Sequence, residues 1–272
     1  MMFSNPQKAV EKAENYVLSR TPIIHAVGFQ SDYIYEFFIS KGIACKADGD
    51  ITITCSQDNS RKMTYIEDTR RLTDEKYYLE TSVSAGKPDI KITASSKRGV
   101  RDAVNAIYRQ IRDGSLFVGV IEDYPLFYKR GYIEGFYGKP WSFEERIDML
   151  KLMSEHCMNT YFYAPKDDPY HRDRWGELYP ENELKSLKKL IEFSQKCCID
   201  FYFCIAPGLS MRYTSEDDYL KLLNKIKQLY FSGVKHFGLL LDDIPERLHY
   251  KEDIERFGGE TVNAHIYLIN RV

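Results

Sequence analysis

The chain has 272 residues, 43% hydrophobic and 29% charged, which supports one large core or two smaller ones and excludes wholesale disorder. Thirty-eight basic against forty acidic side chains leave a net charge of −2, so neither a basic nucleic-acid footprint nor an acidic tail is present. The longest apolar runs, such as Phe237-Gly238-Leu239-Leu240-Leu241, are about five residues, far short of the roughly 20 that span a bilayer. No basic segment followed by an apolar run opens the sequence, so no secretory signal is read. Six cysteines without C-x-x-C spacing make a reducing, cytoplasmic compartment the default expectation, with Cys197-Cys198 as half-buried helix residues.

In chain order, residues 6–19 are expected to form an amphipathic helix with Val10, Ala13 and Val17 on one stripe. A second helix runs from a Ser31 cap to a Gly42 stop and buries Ile34, Phe37 and Phe38. Ile51–Cys55 alternates as a strand, and 76–83 with 88–94 flank Ala85-Gly86-Lys87-Pro88 as a hairpin. Segment 97–112 is helical, capped by Ser96, with Val100, Val104, Ile107 and Ile111 on one face. This half, 1–126, gathers no catalytic chemistry and reads as a small α+β accessory domain.

From residue 127 the rhythm becomes strand, helix, strand, helix. Strands are expected at 131–136, 159–164, 200–206 and 236–241, with helices near 143–156, 183–197 and 216–231. Ser142 with Glu145 forms a capping-box sequence, and Ser215 with Asp218 a near relative. Leu184, Leu187 and Ile191 stripe the second of these helices, and Leu220, Leu223 and Ile226 the third. A fourth helix begins around 260. Repeated βα units with apolar strands predict a parallel sheet, either a barrel or doubly wound.

In such sheets the carboxyl ends of the strands carry the site. Those ends read Glu134-Gly135-Phe136-Tyr137-Gly138, Ala164-Pro165-Lys166-Asp167-Asp168, Ala206-Pro207-Gly208 and Leu241-Asp242-Asp243. Two neighbouring carboxylates after an apolar run raise one another's proton affinity, leaving a donor beside a carboxylate. That equips the pair for acid catalysis at a glycosidic oxygen. A solvated loop explains two adjacent acids equally well, and together with Asp167 and Asp168 they also suit magnesium, hence phosphoryl transfer. Gly135 and Gly138 fit close ligand approach or a plain turn. Lys166 reads as a surface ion pair, and His171-Arg172-Asp173-Arg174 as a solvated loop. Trp141 and Trp175 suit sugar stacking or core packing.

Arg130–Trp141, Asn159–Asp168 and Leu241–Ile244, in this order, resemble the family 84 glycoside hydrolases, the β-N-acetylglucosaminidases of O-GlcNAcase and hyaluronidase type. Ile90–Val100 resembles, less distinctively, the α+β domain that precedes the barrel in bacterial members. The resemblance implies a TIM barrel over 127–272 and a retaining mechanism in which the substrate's own acetamide attacks the anomeric carbon. It implies that Asp242 orients the acetamide, that Asp243 is the general acid and then base, and that Gly135 and Lys166 contact sugar hydroxyls. No cofactor or metal is implied. Residues 127–272 suffice for four βα units, against about 250 residues for a complete barrel. The expectation is thus a fragment or truncated product, partnered by an N-acetylglucosamine-bearing glycan or glycoprotein and by a missing C-terminal half or a second copy. The alternative is a non-catalytic remnant that binds sugar or a partner.

Overall fold

The computed structural model describes residues 6–58, 75–242, 244 and 246–272. Its contacts divide the chain into two units, Met1–Lys129 and Arg130–Val272.

The first unit contains β1 (Lys8–Glu11), β2 (Tyr16–Val17), β3 (Ile24–Gly28), α1 (Ser31–Ser40), β4 (Ile51–Gln57), β5 (Tyr77–Ser84), β6 (Lys87–Ala94), α2 (Lys97–Arg112), β7 (Ser115–Leu116) and β8 (Gly119–Asp123). A six-stranded mixed sheet runs β1-β8-β5-β6-β4-β3, and β2 pairs with β7. Strands β5 and β6 form the expected hairpin, with Ala85 and Gly86 both at positive φ. Val100, Val104, Ile107 and Ile111 face the core, and the Ser96 hydroxyl accepts the Gly99 N–H at 3.2 Å.

The expected helix over 6–19 is instead two short strands. Val10 and Val17 are exposed, so the stripe buries nothing, and three apolar residues over that length anchor a helix poorly. The backbone groups of β8 accept β1 as an antiparallel edge strand, which needs no apolar face. Gln30, at φ 58, takes the cap position of α1, and Ser31 is its first helical residue. Ile34 and Phe38 are buried as expected, while Phe37 is only half-buried.

The second unit contains β9 (Gly131–Glu134), α3 (Phe143–Glu155), β10 (Thr160–Tyr163), α4 (Glu181–Lys196), β11 (Asp200–Ile205), α5 (Glu216–Phe231), β12 (His236–Leu239), α6 (Lys251–Phe257) and α7 (Thr261–Ile269). The strands are parallel and lie in chain order, β9-β10-β11-β12. Every crossover therefore moves one strand in the same direction, and a constant hand puts the helices on one face. Tyr161, Tyr163, Phe201, Phe203 and Ile205 share that face and pack with Leu150, Met153, Leu187, Leu190, Leu222 and Leu229. Gly131 permits the closest approach in the sheet, since a Cβ there would lie 1.6 Å from the Thr160 carbonyl oxygen.

Both halves of the capping box close at α3: the Ser142 N–H donates to Glu145 Oε2 at 2.6 Å and the Glu145 N–H to Ser142 Oγ at 3.2 Å. At α5 the Ser215 hydroxyl accepts the Asp218 N–H, but the shorter aspartate ties back to the Arg212 N–H. The buried stripe of α5 is Leu222, Lys225 and Leu229, with Leu220 exposed, so the expected stripe is rotated. The lysine stem counts as apolar packing while its amine reaches the Tyr170 carbonyl at 3.0 Å. Cys198 follows α4 at φ 59 rather than lying within it, and all six cysteines are free.

Candidate active site

Parallel register sets Glu134, Tyr163, Phe203 and Phe237 in one row across the sheet. Gly135 follows Glu134 directly, Lys166 follows Tyr163 by three residues, and Asp242 follows Leu239 by three. All three leave the sheet at its carboxyl end. Asp243, the fourth expected site residue, lies outside the described residues.

Glu134 holds the base of this end. It is wholly buried, takes a bidentate ion pair from Arg146 of α3 at 2.7–3.1 Å, and accepts the Tyr161 hydroxyl. Burial raises the Tyr161 pKa first, with the Glu134 charge adding to it. The Arg146 guanidinium also lies 5.2 Å from the Tyr163 ring centre. One carboxylate thus fixes β9, β10 and α3 directly beneath Gly135.

Asp168 fixes the next loop. Its carboxylate accepts the hydroxyls of Tyr163 at 2.8 Å and Tyr179 at 2.5 Å and the Tyr170 N–H at 2.9 Å. Tyr179 is clamped at both backbone groups by Gln228 of α5. The Lys225 amine sits over the Tyr170 and Tyr179 rings, and burial lowers its pKa to about 8. With its oxygens so engaged, Asp168 is a loop anchor, and Asp167 beside it is exposed. Among the described residues no three His, Cys, Asp or Glu gather as metal ligands.

Lys166 is half-buried, its amine 5.5 Å from the Tyr137 ring centre, and Arg172 donates to the Tyr137 hydroxyl at 3.1 Å. Gly135 needs no positive φ; a Cβ there would meet Ile133 Cγ2 at 3.3 Å and the Ala164 oxygen at 4.0 Å. Gly138 has φ 108 with nothing nearby, which is a turn requirement. Asp242 is exposed, and its charge adds to the burial that pushes the Cys204 thiol up to about 12.

Asp173 and Arg174 are exposed as expected of a solvated loop, but His171 is not. It is wholly buried; the Cys204 carbonyl, 2.6 Å from Nδ1, can only accept, so Nδ1 carries the proton and the buried Nε2 has no partner. Burial lowers its pKa. An unfolded chain titrating near 6.5 then binds a proton that the fold refuses, so this contribution is intact above pH 6.5 and is lost as pH falls toward the folded value. We expect stability to fall by up to about 1.4 kcal/mol per pH unit below 6.5 from this residue. Denaturant titrations at stepped pH should show a shallower slope in His171→Gln; an unchanged slope would refute the assignment. Trp175 is buried, with its indole N–H on Ser210 Oγ at 3.0 Å, whereas Trp141 is partly exposed and stacked on Tyr132.

Residues 130–272 match the family described as beta-N-acetylglucosaminidase, and the chain belongs to that family. It is 37% identical to the protein O-GlcNAcases of Rattus norvegicus and Mus musculus over 118 residues, 43% of this chain and 13% of each of those. The structure of CpGH84B superposes with a TM-score of 0.73 at 31% identity, over 90% of this chain and 44% of that one. A variant of the Thermobaculum terrenum O-GlcNAc hydrolase gives a TM-score of 0.51 at 42% identity, over 53% of this chain and 31% of that one. The chain therefore spans a minor part of each of these relatives.

Proposed function

We propose that this chain supplies the acid pair and two sugar contacts of a glycoside hydrolase that releases β-linked N-acetylglucosamine with retention. Residues 1–126 are an accessory α+β domain in this reading, and 127–272 are the first four βα units of a (β/α)8 barrel. The unreversed strand order supports a barrel over a doubly wound sheet, which reverses at its switch point. The edges of β9 and β12 are where a second half, or a second copy, would pair.

Gly135 and Lys166 hold the sugar by its hydroxyls. Asp242 accepts the acetamide N–H and turns its oxygen toward the anomeric carbon. Asp243 protonates the departing oxygen and later deprotonates the water that opens the oxazoline. Holding the acetamide oxygen within about 3 Å of the carbon replaces a protein nucleophile by enforced proximity. The observation that carries the reading is that Gly135, Lys166 and Asp242 share one end of the sheet, above the Glu134 clamp.

Gly135→Ala tests it, because local geometry makes little demand for glycine there. In the chain carrying the further βα units that this reading requires, we expect stability to change by about 1 kcal/mol or less. KM for an aryl N-acetylglucosaminide should rise at least about tenfold, equivalent to about 1.4 kcal/mol. An unchanged KM would remove Gly135 from the sugar site.

A further inference from the structure

A cavity of about 500 Å³ in the second unit contains none of Gly135, Lys166 or Asp242. Its walls are the loops that follow β10 and β11, the first turns of α5, and Tyr250. Those loops leave the same end of the sheet as the candidate active site. The volume falls within the ordinary range of small-ligand sites.

The walls carry both signs of charge already fixed in place. Arg174 is paired with Glu177, and Lys221 bridges Asp217 at 2.7 Å and Asp218 at 3.1 Å. Tyr250 is tied by its hydroxyl to the Ser210 carbonyl at 3.1 Å, and the Arg212 guanidinium lies 4.7 Å from its ring centre. Arg212 lines the cavity, is exposed, and has no carboxylate partner among the described residues. Four carboxylates, with Asp173 the fourth, stand against three cations, so the wall charges nearly cancel and neither an anion nor a cation is strongly favoured. A neutral ligand dense in hydroxyls meets fixed donors and acceptors on every side and an aromatic platform at one edge.

We propose that this cavity binds a neutral carbohydrate unit, as a second sugar site separate from the catalytic one. The site is independent of the catalytic reading, because it needs no acetamide and no acid pair.

Trp175 lines the cavity with its indole N–H held by Ser210, and the chain has only one other tryptophan. The test is a ¹H–¹⁵N correlation titration of the 272-residue chain with cellobiose, which lacks the acetamido group. Trp175→Phe assigns the two indole signals. We expect the Trp175 signal to move saturably, with a Kd on the order of 1 mM, while the Trp141 signal stays put. Arg212→Ala, an exposed change, should weaken binding about tenfold or more. Glucuronate and glucosamine, titrated alongside, should bind more weakly than cellobiose. A Trp175 signal that does not move, an equal response in Arg212→Ala, or tighter binding of either charged sugar would each overturn the proposal.

Discussion

Glu134→Ala is expected to destabilise the second unit by about 3–5 kcal/mol, because it leaves the Arg146 guanidinium partly buried without its carboxylate. The same change strips the Tyr161 hydroxyl of its acceptor. For a domain whose whole stability is of order 5–15 kcal/mol, that is enough to populate the unfolded state. Removing the charge along with its partner, in Glu134→Leu with Arg146→Met, should recover much of the loss, since a well-packed apolar pair avoids the desolvation cost. Urea unfolding of the three proteins measures this directly. A single-variant loss within about 1 kcal/mol of zero would mean the pair behaves as a solvated one and contradict the clamp.

The second large effect concerns Asp243. On the proposed reading, Asp243→Asn in a completed barrel is expected to slow hydrolysis of poor leaving groups by about 10²–10⁴, the usual worth of a positioned general acid. An activated aryl leaving group departs without protonation, so its loss should be far smaller. Comparing an alkyl and a nitrophenyl N-acetylglucosaminide in the same variant separates the two. Equal losses would assign Asp243 another role. Asp242→Asn should behave differently, hurting both substrates alike, since in the proposed reading it acts on the acetamide.

The alternation of βα units in the second unit was legible because apolar strands and capped helices repeat with clear periods. Ser96, Ser142 and Ser215 all cap the helices their positions implied. The opening strands were not legible: β1 is held by the edge of β8, a partner more than a hundred residues away, and carries no apolar pattern of its own. The role of Glu134 is not legible in the sequence for a similar reason. It lies in a strand run beside Gly135, and only the fold brings Arg146 and Tyr161 to it. The signal was present in period two, since a charge on the same face as core positions demands a partner. Lys225 hid in the same way, as a charge standing in an apolar stripe of α5. The strand-end residues could be read directly, because in a parallel sheet the carboxyl end is fixed by chain direction alone.

Phe201, Phe203, Ile205, Phe237 and Leu239 pack in the helix-side core. Phe162, Tyr202 and His236 form a stacked row on the opposite face, with ring centres 4.5 and 4.6 Å apart. Residue alternation decides this, and the face that a barrel would close around is therefore aromatic and polar.

The central claim is that these strand ends position an acetamide that serves as the nucleophile. The most direct measurement compares kcat/KM of the completed barrel on a nitrophenyl β-N-acetylglucosaminide and on the matching β-glucoside, which differ only at carbon 2. The account predicts a ratio of at least about 10⁵ in favour of the acetamide, the low end of the effective molarity of a well-oriented internal nucleophile. Comparable rates on the two substrates would contradict it.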